Sequence, residues 1–204
     1  MKKNLLLGIM CLFLGISGCA DKRKYHDTIK SEIASDNSEM VKEILLFQKE
    51  LNEEFKNPET SPLPDRYRKD FEGLDFFQPD TSFRVIASLE RTADPIPFMM
   101  PTTTDRLSEE VVFGVVNFSI KGENYSLEVY QNLELKETEG YEDYLFLPFL
   151  DDTNGNGSYP GGRYTEARIP DGDTIVIDFN TAYNPYCAYN EKYSCPIVPR
   201  ENYL

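Results

Sequence analysis

Six short strand-like runs, several of which alternate between apolar and polar residues, are separated by turn signals and occupy most of the chain between residues 83 and 179. They cover 83–92, 111–120, 125–131, 144–149, 163–169 and 174–179. A period of two, rich in β-branched and aromatic residues, predicts strands, and residues 121–124 form the turn of a β-hairpin between the second and third runs. We therefore predict a mainly β fold over residues 65–204, either an antiparallel sandwich or a barrel-like domain.

One helical pattern precedes these runs. Over residues 38–57, apolar residues recur at helical spacing on one face, at Val41, Leu45, Leu51 and Phe55. Three prolines in residues 58–64 then indicate a linker. The sequence thus predicts one N-terminal amphipathic helix, which we expect to dock on the edge of its own domain. A helix that binds a partner is the alternative.

The N-terminus has the features of a targeting signal. Two lysines precede an apolar run over residues 5–16, which is too short to span a bilayer and has the length of a signal-peptide core. Residues 16–19, Ile-Ser-Gly-Cys, resemble the bacterial lipobox. The resemblance implies a signal peptide over 1–18 and a lipid on Cys19, so that a polar tether, 19–37, links a membrane anchor to the domain. We expect a lipid-anchored protein of the bacterial cell envelope, facing the periplasm or the cell surface. A plain secretory signal or an uncleaved membrane helix is the alternative.

Charge and histidine content exclude several functions. The chain has 21 lysine and arginine residues against 35 aspartate and glutamate residues, a net charge of -14. Nucleic acid is therefore excluded as the main partner, because phosphate binding needs a basic face. The single histidine, His26, falls in the predicted tether, so the domain cannot build a Ser-His-Asp triad or a multi-histidine metal site. We expect no cofactor.

Two cysteines remain in the predicted domain once Cys11 and Cys19 are assigned to the signal and the anchor. Cys187 and Cys195 are eight positions apart. An envelope protein experiences oxidising conditions, so we predict a disulfide between them. Two free buried thiols are the alternative.

Residues 152–157, Asp-Thr-Asn-Gly-Asn-Gly, match the opening of a calcium loop, with Asp152, Asn154 and Asn156 as the candidate ligands. The twelfth position, where such a loop has a bidentate glutamate, is Arg163. Asp, Asn and Gly are also the common residues of β-turns. The pattern favours an ordinary turn over a calcium site.

The C-terminal tail, residues 178–204, carries a long motif and is unusually rich in tyrosine, asparagine and proline. Residues 178–189 read Asp-Phe-Asn-Thr-Ala-Tyr-Asn-Pro-Tyr-Cys-Ala-Tyr, and residues 195–202 read Cys-Pro-Ile-Val-Pro-Arg-Glu-Asn. This motif resembles the signature of domain-of-unknown-function family 1684. Further matching stretches lie at 71–77, 101–103, 141–149 and 159–164. The resemblance covers about residues 64–204 and implies a compact, mostly β domain with no established activity, so no catalytic residue is carried over.

The same tail suggests a ligand site. The candidate residues are Arg163, which follows two glycines that allow a tight turn, and Asp178, Asn180, Tyr183 and Asn184. If they converge, they form a polar pocket rimmed by tyrosines. We predict a small-ligand or glycan-binding module, since aromatic faces and amides suit sugars. In the structural alternative, Arg163 pairs with Asp178 or Asp152, and the tyrosines and asparagines cap loop backbone groups.

Two other functions are compatible with the sequence. A hydrolase would use two converging carboxylates, from Glu142, Asp151, Glu166 and Asp178, with Arg163 stabilising charge. A solvated acidic edge explains these carboxylates more simply. A structural or assembly protein of the envelope would instead present a flat apolar patch.

Overall fold

The computed structural model of the chain describes residues 39–204. The predicted signal peptide, the lipid on Cys19, the tether 19–37 and His26 lie outside the described residues. Two helices come first, α1 (Glu39–Lys56) and the short α2 (Asp65–Arg68). Within residues 39–204, no helix combines the length and the apolar character needed to cross a membrane.

Seven strands follow and form a single antiparallel sheet that is nearly closed into a barrel. They are β1 (Arg84–Arg91), β2 (Phe98–Pro101), β3 (Leu107–Ile120), β4 (Glu123–Asn132), β5 (Tyr144–Phe149), β6 (Arg163–Arg168) and β7 (Thr174–Asp178). The order is β6-β5-β4-β3-β1-β7, and β2 pairs with the beginning of β3. Past the end of β7, Tyr183 and Tyr164 of β6 exchange two backbone hydrogen bonds of 2.9 Å, which join the two ends of the sheet. The mainly β prediction is confirmed.

The predicted alternation sets which side of the sheet is buried. In β1, Val85, Ala87 and Leu89 are buried, whereas Ile86 and Ser88 between them are exposed. Buried side chains of β3, β4, β5 and β7 join these three in the main hydrophobic core. A second cluster packs tail residues such as Cys195 and Val198 against the sheet.

Two features of the sheet differ from the prediction. β2 was missed, and β3 begins at Leu107, four residues before the predicted run. Both differences come from one pairing that the sequence did not predict, in which β2 pairs with the first four residues of β3. The stretch that contains β2 is rich in proline and lacks a clear period of two. Beyond it, β3 passes close to β1 at Gly114, where a Cβ atom would lie 2.5 Å from the carbonyl oxygen of Glu90.

The predicted helix is confirmed and docks on its own domain. Ile44 and Phe55 are fully buried, and Phe55 packs against aromatic rings of the tail and of the segment after α2. Glu43 pairs with Arg84 of β1 at 2.5 Å. The predicted apolar face is otherwise only half-buried, because part of it borders an open cleft.

Candidate functional site

A cleft of about 800 Å³ lies between α1, residues 74–81 and the tail. Its walls are mostly aromatic or aliphatic, and include Val41, Leu51, Phe55, Leu74, Phe76, Phe77, Phe83, Phe179, Tyr186 and Tyr189. This volume lies within the range of about 300–1,000 Å³ that small-molecule sites occupy. The cleft is therefore the candidate binding site of the domain.

The structure brings four of the five predicted ligand-site residues to this cleft. Arg163, Asn180, Tyr183 and Asn184 all line it. Asp178 lies behind them and does not line it. β6 supplies the arginine, and the irregular chain after β7 supplies the other side chains.

Arg163 lies in the wall of the cleft between two aromatic rings. Its guanidinium carbon is 5.2 Å from the ring centroid of Phe77 and 5.0 Å from that of Phe149, its register partner in β5. Its Nη2 donates a short hydrogen bond to Asp151, and its Nε is buried without a hydrogen-bond partner. The structural alternative is therefore wrong in its choice of partner, because Arg163 pairs with Asp151 instead of Asp178 or Asp152. Asp151 follows the end of β5, and the pairing of β5 with β6 brings it next to Arg163.

The pKa of Asp151 reflects this arrangement. Burial alone would raise it, but hydrogen bonds from Thr153 and the positive charge of Arg163 outweigh burial and lower the pKa. The pair is therefore ionised at neutral pH and contributes little net charge to the cleft.

The asparagines of the tail bind protein groups. Asn180 Oδ1 accepts from the backbone N of Asp80 at 2.9 Å, and its Nδ2 donates to the Asp80 carbonyl at 3.0 Å and to Asp178 at 2.7 Å. Asn184 accepts from the backbone N of Tyr159 at 3.2 Å and donates to the Tyr189 hydroxyl at 3.2 Å. Asn180 thus fixes the tail to residues 74–81, and Asn184 fixes it to the connection between β5 and β6.

The polar groups of Tyr183 and Asp178 also bind other protein groups. The hydroxyl of Tyr183 donates to Glu166 at 2.6 Å, and burial raises the pKa of Tyr183. Asp178 accepts from the backbone N of Asn180 at 2.9 Å and lies 3.8 Å from Arg84. The cleft thus offers the ring of Tyr183 while its hydroxyl is already engaged.

The predicted disulfide between Cys187 and Cys195 is wrong for this structure, in which both are free thiols. They are nevertheless neighbours, because the backbone N of Cys187 contacts the Cys195 sulfur at 3.3 Å. Burial raises the pKa of Cys195 to about 11, so that its thiol stays neutral at pH 7. Hydrogen bonds with Thr103 fix this part of the tail without a covalent link.

The candidate calcium loop is closed by its own hydrogen bonds. Asn154 accepts from the backbone N of Asp151 at 2.7 Å and donates to Ser158 at 2.9 Å, while Asp152 accepts from the hydroxyl of Tyr203 at 2.6 Å. Asn156 is exposed. Across the described part of the chain, no three His, Cys, Asp or Glu side chains are grouped to hold a metal ion. The geometry is that of a turn.

The four carboxylates considered for hydrolysis do not converge. Only Asp151 lines the cleft, and it pairs with Arg163. Glu142 is exposed and accepts from the backbone N of Gly140 at 2.8 Å. Glu166 and Asp178 accept from Tyr183 and Asn180. This layout gives no support to a two-carboxylate mechanism, which needs both groups at one bond.

One wall of the cleft was missed by sequence reasoning. Residues 74–81 carry Phe76 and Phe77 across from the tail, and α1 adds Met40 and Val41. The available signal was the density of phenylalanine over residues 71–83, in a stretch without strand or helix period. Aromatic residues outside helices and strands still need a surface to pack on, and here Phe77 packs against Arg163 at the start of β6.

Comparisons with known proteins agree with this architecture. The solution NMR structure of an uncharacterized protein from gene locus rrnAC0354 of Haloarcula marismortui is 34% identical, with a TM-score of 0.61, over 79% of this chain and 87% of that one. None of the curated proteins compared with the chain matches it. The family profile described as "Protein of unknown function (DUF1684)" matches residues 69–204, and the chain belongs to this family.

Proposed function

We propose that the protein is a small-molecule-binding module whose ligand binds in the cleft between α1, residues 74–81 and the tail. The observation that carries the proposal is the convergence of α1, residues 74–81 and the tail on one cleft of about 800 Å³. Pockets of this size with aromatic walls and few polar groups are the usual form of small-molecule sites.

The contacts in the walls favour an apolar or aromatic ligand over a glycan. Sugar recognition needs free amides and carboxylates beside the aromatic faces. Here the amides of Asn180 and Asn184 already bind protein groups, and Arg163 is paired with Asp151. Residues 74–81 also contribute Asp75, Gln78 and Asp80 to the lining. Much of the remaining surface is apolar and consists of the rings of Phe76, Phe77 and Tyr183 and their aliphatic neighbours, which gain from burying apolar ligand area.

The charge of the cleft favours an uncharged ligand. Arg163 is the one cationic side chain among the described residues that line it, and Asp151 compensates its charge. An anion would have to displace Asp151 from Arg163 and would lie near Asp75 and Asp80, which also line the cleft. Asp80 already pairs with Lys121 at 3.3 Å, so a cation would have to compete with that lysine.

The experiment is a titration of the full chain with phenylnaphthylamine, an uncharged apolar fluorophore. We expect binding at one site per chain, and we expect Leu74→Trp, which fills the cleft, to weaken it about tenfold or more, equivalent to about 1.4 kcal/mol. Leu46→Trp is the matched control, since Leu46 is 52% exposed on α1 and lines neither wall. Absence of binding, or equal binding by both variants, would overturn the proposal. A glycan panel tests the alternative ligand class.

We also propose that the module is held at a bacterial envelope membrane by a lipid on Cys19. The lipobox-like residues 16–19 and the apolar run before them support this. Metabolic labelling with a clickable palmitate analogue should label the chain and leave Cys19→Ser unlabelled. Cys11→Ser should remain labelled, because Cys11 falls in the cleaved segment. Labelling that survives Cys19→Ser would contradict the anchor.

A further inference from the structure

A second cavity, of about 650 Å³, lies beside the cleft and shares Leu51, Tyr183 and Tyr186 with it. Its walls come from α1, β6 and the tail. Aromatic rings line it from all three, namely Phe47, Tyr164, Tyr183, Tyr186 and Tyr193. The rings of Phe47, Tyr164 and Tyr193 do not line the first cleft.

The charge in this cavity is of one sign. Glu54 of α1 and Glu166 of β6 line it, and no lysine or arginine does so among the described residues. Neither glutamate forms an ion pair within residues 39–204. Arg168, two residues further along β6, donates instead to Asp143 at 2.8 Å and to the Gly140 carbonyl at 2.7 Å.

Tyrosine hydroxyls orient both carboxylates. Tyr183 donates to Glu166 at 2.6 Å, and Tyr186 donates to Glu54 through a short hydrogen bond. Burial raises the pKa of both tyrosines, so they remain protonated donors at physiological pH. A phenol donor carries no charge. The pair of carboxylates is therefore held in position while its negative charge stays uncompensated.

We infer that this cavity binds a small organic ammonium ion, whose N–H groups donate to Glu54 and Glu166 and whose charge lies against the tyrosine rings. Aromatic faces attract cations within about 6 Å of the ring centroid. One ring here already does so, since the Lys192 ammonium lies 4.8 Å from the centroid of Tyr193. The neutral ligand proposed for the first cleft has no charge to offer these carboxylates, so the two sites take different ligands and stand independently.

The test is calorimetric titration of the full chain with putrescine. Butanediol, its uncharged counterpart, and succinate, an anion of the same carbon number, serve as controls. We expect putrescine to bind at one site per chain and the two controls not to bind. The double variant Glu54→Gln/Glu166→Gln should lower the affinity about tenfold or more. Glu53→Gln, an exposed neighbour on α1, should leave it within about twofold, since rim charges of this kind contribute little.

A second measurement on the unmodified chain locates the site. Amino-TEMPO, a paramagnetic ammonium, should broaden the NMR signals of Tyr193 and Ser194, which line the cavity, and spare those of Ile86 and Val176, which do not. Uncharged hydroxy-TEMPO should broaden neither pair. Failure of putrescine to bind, unchanged affinity in a folded double variant, or broadening spread evenly over the acidic surface would overturn the inference. None of these outcomes bears on the apolar ligand of the first cleft.

Discussion

The side chain of Asn202 binds both backbone polar groups of Glu128. Its Oδ1 accepts from the Glu128 N at 2.8 Å, and its Nδ2 donates to the Glu128 carbonyl at 2.8 Å and to the Pro148 carbonyl at 2.7 Å. Glu128 lies in β4 and Pro148 in β5, whose register pair is Tyr130 with Phe146. The fully buried amide of Asn202 thus continues the hydrogen-bond ladder where these two strands separate.

Replacing this amide should destabilise the barrel strongly. Asn202→Ala leaves three buried backbone groups without their partner, at about 1–3 kcal/mol for each unsatisfied group before relaxation. We expect the free energy of unfolding in urea to fall by about 3 kcal/mol or more. Asn156→Ala, at an exposed loop position, is the matched control and should change it by less than about 0.5 kcal/mol. A small effect at position 202 would show that water replaces the amide.

Glu110 makes the stability of the domain depend on pH. It is 2% exposed, and its Oε1 accepts from Ser108 at 2.8 Å and Asn132 at 2.7 Å, while Oε2 is buried without a partner. Burial raises the pKa of this carboxyl above its ordinary value of 4.5 despite both hydrogen bonds. Above pH 4.5 the unfolded chain releases this proton before the folded domain does, so the free energy of unfolding falls as pH rises through that window.

Glu110→Gln should remove this part of the pH dependence. The glutamine keeps an oxygen for Ser108 and Asn132 and carries no charge at any pH. We expect the variant to match the unmodified chain in acid and to exceed its stability at neutral pH. Urea unfolding between pH 4 and pH 8 measures the difference, with the exposed Glu109→Gln as control. Parallel pH profiles for the chain and Glu110→Gln would contradict the assignment.

The sequence predicted the elements that depend on the pattern of residues close together along the chain. Short runs with strand composition, several of them alternating, placed six of the seven strands, and helical spacing placed α1. The partner of Arg163 was not placed in this way, although Asp151 lies only two residues past Phe149, the β5 residue that pairs with Arg163. That pairing was missed because the register of the two strands could not be read from their sequences.

Long-range contacts could not be predicted in this way. Asn180 is locked to Asp80, which is 100 positions away, and Asn202 to Glu128, which is 74 positions away. Nothing in either sequence neighbourhood indicates the partner, because any turn-rich tail contains such amides. The same limit explains the error at Cys187 and Cys195. Their spacing predicted proximity correctly, but whether two neighbouring thiols are bonded depends on the geometry of the sulfur atoms, which spacing along the chain does not encode.

Gly162 should tolerate no side chain. Its φ is +94°, and a Cβ atom would lie 2.6 Å from Val198 and 2.7 Å from the Phe149 carbonyl oxygen. Gly162→Ala therefore combines backbone strain with a clash against main chain, and we expect a loss of about 2 kcal/mol or more. Gly172→Ala, where the added atom meets nothing within 4 Å, should cost under about 1 kcal/mol. Equal melting temperatures for the two variants would contradict the argument.

The pair of Arg163 and Asp151 should differ from the surface pairs of the domain. Its side chains are 13% and 17% exposed, whereas those of Arg168 and Asp143 are 54% and 53% exposed. Arg163→Met keeps an apolar stem between Phe77 and Phe149 but leaves the mostly buried Asp151 carboxylate without its counter-charge, with only its hydrogen bonds from Thr153. We expect a loss of about 2–3 kcal/mol at pH 7. Arg168→Met should lose less than about 1 kcal/mol.

The pH profile separates this charge effect from lost packing. The pKa of Asp151 is lowered in the folded domain, so its contribution is present above its ordinary value of 3.8 and is lost as pH falls through the lowered pKa. In Arg163→Met the unpaired carboxylate takes up its proton more easily, so the deficit against the unmodified chain should shrink in acid. Adding Asp151→Asn should recover part of the stability at pH 7, because no charge is then left unpaired. A deficit that stays constant with pH and survives Asp151→Asn would mean that the guanidinium stabilises the wall of the cleft by stacking alone.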